Sequence, residues 1–164
     1  MLSLGIDPGT ASIGWGFVRE HPDGTLEALD YGVIRTGPED PMPERLQQIF
    51  QSLTALIDKY RPDQAGVEEL FFAKNVTTAI TVAQGRGVIL LALQQAGIPI
   101  HEYKPNMIKQ TISGYGGAGK PQMQEMVRIL LNMENTPRPD DAADALAIAI
   151  TDLQMGRYSQ YDML

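Results

Sequence analysis

Four carboxylates stand where an acid is hardest to explain by structure alone. Asp7 closes the apolar run Met1-Leu2-Ser3-Leu4-Gly5-Ile6. Glu68, or its neighbour Glu69, follows Ala65-Gly66-Val67. Asp141 and Asp144 lie in Asp-Asp-Ala-Ala-Asp-Ala-Leu-Ala-Ile-Ala-Ile, a stretch otherwise apolar enough to be buried. An acid at the end of a core segment is costly unless it is paired, protonated or bound to a cation. The chain has 13 Lys plus Arg, and none adjoins these acids in sequence. A shared divalent metal is the leading explanation, and metal-assisted phosphoryl transfer the chemistry it points to. With no Cys and only His21 and His101, which are far apart in sequence, the ligands are oxygens. Oxygen ligands suit Mg²⁺ or Mn²⁺, one or two ions bridging the acids. The absence of Cys also excludes disulfides, thiol nucleophiles and Cys-based zinc sites.

Simpler roles exist for each acid. Asp7 in Asp-Pro-Gly suits a turn cap. Glu68 suits a solvated strand end. Asp140 and Asp141 suit the first turn of a helix, where the dipole favours them, but Asp144 is too far in for that. The set argues more strongly than its members. Asp141 and Asp144 are three apart and share a helix face. Ala142, Leu146, Ala149, Ile150 and Leu153 form another flank able to dock on a sheet. Asp7 and Glu68 end strands, where open α/β sheets place their sites.

The elements that must position these acids follow from periodicity and turn signals. Residues 2–7 and 13–18 read as strands joined by a tight turn at Asp7-Pro8-Gly9-Thr10. With Leu26 to Thr36 they form an antiparallel meander. Residues 43–60 are an amphipathic helix, 64–68 a short buried strand, and 76–96 a long helix or two pieces broken near Gly85-Arg86-Gly87. Residues 98–103 are a strand. Residues 105–112 and 121–132 are helices flanking the glycine-rich loop 113–119, and a last helix spans roughly 140–154. The order gives an α/β fold with a mixed five-stranded sheet flanked by helices. At 164 residues, the chain reads as one domain over 1–155, with a polar tail, 156–164, expected to fray.

The net charge of −7 argues against nucleic acid until its distribution is read. Residues 74–128 hold Lys74, Arg86, Lys104, Lys109, Lys120 and Arg128 against only Glu102 and Glu125. A basic face on an acidic protein is therefore expected. No 18-residue run is wholly apolar, and no basic segment precedes the short apolar N-terminus, so no membrane association and a cytoplasmic location are expected.

Gly5-Ile6-Asp7-Pro8-Gly9-Thr10 with Gly14-Trp15-Gly16 resembles the opening of the RuvC family of Holliday junction resolvases. Glu68 through Phe72 with Ala73-Lys74-Asn75, then Gln84-Gly85-Arg86-Gly87, Ile108-Lys109-Gln110 and Asp141 to Thr151, resemble further blocks in order, so the likeness extends to about residue 152. It implies an RNase H-like fold, a homodimer, and symmetric nicking of four-way DNA junctions in recombination and repair. It implies Mg²⁺ dependence, with two ions per subunit, and partnership with a branch-migration helicase complex. The family's catalytic and metal-binding acids map onto Asp7, Glu68, Asp141 and Asp144, the spacing to Ala73-Lys74-Asn75 selecting Glu68 over Glu69. Its functional lysines map onto Lys109 and Lys120, with Lys120 also catalytic. DNA contacts map onto Phe71 and Lys74. Phe71 is expected to be exposed and to stack on an unpaired base, with Phe72 in the core. Glu69 and Asp140 are extra acids without a mapped role. Two rival readings share Asp7-Pro8-Gly9-Thr10 or the acids: an actin-like ATP-binding domain, for which the chain is short, and an RNase H-like nuclease acting on another nucleic acid.

Overall fold

Strand alternation decides which side chains meet the catalytic face. In the computed structural model, which describes residues 1–70 and 75–161 with side chains to residue 157, the chain runs β1 (Leu2–Asp7), β2 (Ser12–Glu20), β3 (Leu26–Arg35), α1 (Met42–Tyr60), β4 (Gln64–Glu68), α2 (Val76–Gln95), β5 (Ile100–Tyr103), α3 (Pro105–Ser113), α4 (Lys120–Leu130) and α5 (Asp140–Tyr161). The sheet order is β3-β2-β1-β4-β5. β1 pairs antiparallel with β2 and parallel with β4. β2 pairs antiparallel with β3, and β4 parallel with β5. This is the mixed five-stranded sheet that the strand and helix order predicts, in the RNase H-like arrangement that the family resemblance implies.

Helices cover both faces. Leu2, Leu4 and Ile6 of β1 and Ala65 and Val67 of β4 point to one side, where Ile49, Leu53 and Ile57 of α1 and Ile89, Ala92 and Leu93 of α2 complete a core. Successive strand residues point to opposite faces. Ser3, Gly5 and Asp7, with Gln64, Gly66 and Glu68, therefore face α5. Ser3 Oγ and Gln64 Nε2 reach Asp152 of α5 at 2.6 and 2.7 Å, which fixes that parity. A second core joins Ile108 and Ile112 of α3, Val127 of α4 and Leu146, Ile150 and Leu153 of α5.

α5 lies unusually close to the sheet, because glycines make room. A Cβ on Gly5 would sit 2.0 Å from the Ala145 carbonyl oxygen, and one on Gly14 would sit 1.9 Å from that of Asp141. Asp152, wholly buried, anchors the middle of α5. Besides Ser3 and Gln64, its carboxylate accepts from Tyr103 Oη and pairs with His101 Nδ1, each at 2.7 Å. Four hydrogen-bonding partners let an acid sit in the core.

α2 is a single long helix, the first of the two readings, with Asn75 accepting from Thr77 N and Thr78 N at its start. One element bound is corrected. α5 continues to Tyr161 instead of ending near 154. Leu153 and Met155 belong to the second core, and Arg157 pairs with Glu20. α2 has the length and mean hydropathy, 1.5, of a membrane-crossing segment. Ile89 and Leu93 are nevertheless core residues, and Arg86 pairs with Glu102 at 2.9 Å, as suits a helix packed on a sheet.

Candidate active site

The four acids converge through two strand ends and one helix. Ile6 pairs with Val67 in the parallel β1–β4 register, so the next residues, Asp7 and Glu68, emerge side by side on the α5 face. They share a side-chain hydrogen bond. Asp141 and Asp144 come from the first turns of α5, and each offers an oxygen that lies with one of Asp7 in a group within 4.8 Å of one another. The turn after Asp7 is held from three sides. Thr10 Oγ1 donates to the Thr81 carbonyl of α2. Thr36 Oγ1 donates to the Thr10 carbonyl at 2.6 Å. Gly85 packs so tightly that a Cβ there would meet the Gly9 carbonyl oxygen at 2.2 Å.

Such a cluster resists ionisation. Burial, then the charges of Glu68, Asp144 and Asp141, push Asp7 up to about 8. Burial also raises Glu68, aided by Asp144 and opposed by the hydrogen bond from Asp7 and the charge of Lys109. Asp144 is raised by burial and by Asp141 and Asp140, against the pull of Lys120. Held protons or bound cations are the two ways to relieve this repulsion. The donor set is carboxylate oxygen only, negatively charged and preassembled, and it fits a hard divalent cation.

Lys120 and Lys109 line a cavity of about 350 Å³ with Glu68 and Asp144, over an apolar floor that includes Ile108, Met123, Val127 and Ile148. Lys120 Nζ lies 3.6 Å from Asp140 Oδ2 and 3.8 Å from Asp144 Oδ2. The charge of Asp144 foremost, with help from Asp140, raises Lys120 and keeps it cationic. The site thus sets carboxylates and two lysines around one cavity, an arrangement suited to a phosphodiester.

The structure brings Asp7, Glu68, Asp141, Asp144, Lys109 and Lys120 together. Phe71 and Lys74, the proposed DNA contacts, and Phe72 lie outside the described residues. The expected basic face is thinner than the sequence suggests, since Arg86 and Arg128 pair with Glu102 and Glu125. Ser12 was not singled out in the sequence. Its hydroxyl donates to Asp141 Oδ2 at 2.7 Å and orients that carboxylate. The available signal was its position: it stands two residues before Gly14, the partner of Asp7 in the β1–β2 hairpin, and so shares that residue's face.

An acidic cluster at the strand ends of an RNase H-like sheet, with lysines opposite, defines the class: an RNase H-like enzyme built for metal-dependent phosphodiester chemistry. The chain belongs to the family described as crossover junction endodeoxyribonuclease RuvC, whose model matches residues 3–152. A RuvC crossover junction endodeoxyribonuclease from Chloroflexus aurantiacus is 62% identical over 150 residues, covering 92% of this chain and 91% of its own. One from Brevibacillus brevis is 53% identical over 154 residues, covering 94% and 92%. The structure of Thermus thermophilus RuvC in complex with a Holliday junction substrate matches with a TM-score of 0.92 at 35% identity, covering 97% of this chain and 96% of that one.

Proposed function

We infer that this chain does what its family does: it is a structure-specific endonuclease that resolves four-way DNA junctions in recombination and repair. The observation that carries this reading is the convergence of Asp7, Asp141 and Asp144, with Glu68 hydrogen-bonded to Asp7, beside two lysines.

In this proposal Asp7, Glu68, Asp141 and Asp144 hold Mg²⁺, with Mn²⁺ as a substitute and two ions per subunit. Bound divalent ions would supply Lewis-acid stabilisation of the phosphate and lower the pKa of an attacking water. The chain supplies the rest. Ser12 fixes one carboxylate of the set. Lys120 and Lys109 face the position of a phosphate over the acids, where they offset the charge that builds up on phosphorus oxygens in the transition state. Lys109, Lys120, Lys74 and Phe71 contact DNA, Phe71 by stacking. The nuclease unit spans 1–155 and works in the cytoplasm as a homodimer, fed by a branch-migration helicase complex.

The test compares cleavage of a mobile four-way junction, a linear duplex of the same sequence and an RNA–DNA hybrid, each with Mg²⁺ and with chelator. Paired nicks confined to the junction and dependent on metal are expected. Equal cleavage of the hybrid or the duplex would redirect the assignment to another RNase H-like activity.

A further inference from the structure

Asp140 stands next to the catalytic acids without belonging to their cluster. Its Oδ1 accepts from Arg138 Nη1 at 2.6 Å and from Gln124 Nε2 at 3.0 Å. These two donors anchor Oδ1, and Oδ2 lies 3.6 Å from Lys120 Nζ. Lys120 and Gln124 are four apart on α4 and share a face. Both converge on Asp140, so the first residue of α5 clasps the first turn of α4.

We propose that Asp140 is a positioning residue for Lys120: anchored by Arg138 and Gln124, it holds the ammonium group beside Asp144, at the mouth of the cavity where the scissile phosphate binds. The proposal rests on the role given to Lys120 above.

Stability does not account for this arrangement. The pair is about half exposed, and such surface pairs add little to folding. Its effect lies in order. A lysine carries a compact charge on a flexible four-carbon stem, and this one follows a loop containing Gly114, Gly116, Gly117 and Gly119. An untethered ammonium group there would have to be immobilised during each reaction; a tethered one is already placed. Asp144 also touches Lys120, at 3.8 Å, but it is one of the clustered acids. Asp140 is outside that group, so its removal leaves Asp7, Glu68, Asp141 and Asp144 in place.

General electrostatics makes the opposite prediction. Deleting an acid near bound DNA relieves repulsion, which tightens binding and slows nothing. The experiment is single-turnover cleavage of a four-way junction at saturating enzyme, together with junction affinity measured in chelator. It uses Asp140→Ala, Lys120→Ala, the double variant, Asp140→Ala with Lys109→Ala, and Asp140→Glu. Asp140→Ala should cleave about 5- to 10-fold more slowly, the scale of one released side chain, with affinity unchanged or tighter and an unchanged melting temperature. The loss should vanish in the Lys120→Ala background, persist in the Lys109→Ala background, and be partly restored by Asp140→Glu. A wild-type rate for Asp140→Ala, or a full multiplicative loss on top of Lys120→Ala, overturns the inference while leaving the role of Lys120 intact. A wild-type rate for Lys120→Ala overturns both.

Discussion

Asp7 shows most directly how the site trades stability for function. Its carboxyl is pushed up to about 8 in the folded protein and returns to about 4 in the unfolded chain. Between those values the native state holds a proton that the unfolded state has released. Without metal, stability is therefore present at low pH and falls as pH rises toward 8. Asp7→Asn removes the group that must ionise. In chelator at pH 8, urea unfolding should show Asp7→Asn more stable than wild type by on the order of 2–4 kcal/mol, and the gap should close near pH 4. Added Mg²⁺ should raise the wild-type midpoint more than that of the variant. Equal pH profiles in chelator would mean that the cluster is not strained. The sequence showed this site because acids at the ends of apolar runs are conspicuous. It left Glu68 and Glu69 as alternatives on residue type alone, yet strand parity separates them: Gln64, Gly66 and Glu68 face α5. Asp152 drew no attention although it is more deeply buried than the catalytic acids. Its partners come from three separate strands and are visible only once the sheet is assembled.

At the scale of elements, the approach of α5 to the sheet sets the geometry of catalysis. Gly5 and Gly14 are what permit it, and they read in the sequence merely as part of a family motif. A methyl group on Gly14 would meet the backbone of Asp141 itself at 1.9 Å. Backbone cannot swing aside as a side chain can, so α5 must shift or β2 must bend. Gly14→Ala should therefore cost about 1–3 kcal/mol, the usual range for overpacking, and should abolish cleavage at temperatures where the variant remains folded. Circular dichroism melts beside junction cleavage measure both. Full activity in a folded Gly14→Ala protein would show that the acids tolerate displacement of α5. Most element positions were legible because periodicities of two and of 3.6 are local properties. The end of α5 was not. It depends on Leu153 and Met155 meeting the second core and on Arg157 finding Glu20, contacts made across the fold. The role of Gly85 was likewise not legible: it admits the Gly9 turn, while a Cβ on Gly87 would meet open space.

At the scale of the whole molecule, and among the described residues, α2 carries an apolar face that the single chain does not cover. The run Val88-Ile89-Leu90-Leu91-Ala92-Leu93 is apolar through more than one full helical turn. Within the single chain, Ile89, Ala92 and Leu93 are buried, but Leu91 is 50% exposed, with Ile80 at 56% and Val76 at 72%. Ile80 and Leu91 are eleven apart, three helical turns, and so share a stripe on α2. An apolar stripe on a helix whose opposite side is already packed is a natural seat for a twofold partner. The substrate argues in the same direction. Resolving a four-way junction takes nicks in two strands related by its own symmetry, and a twofold dimer supplies two acidic sites in that relation. Ile80→Glu with Leu91→Glu should leave the fold of each chain intact, because neither residue is core. The pair of charges should dissociate the dimer, shifting sedimentation at micromolar concentration from twice the mass of the chain to once. Paired nicking should be lost with it. A heterodimer of wild-type and Asp7→Asn subunits should then cut one strand and leave the junction unresolved. Wild-type protein that sediments as a monomer while still making paired nicks would remove the dimer from the mechanism, and the exposed stripe of α2 would need another occupant.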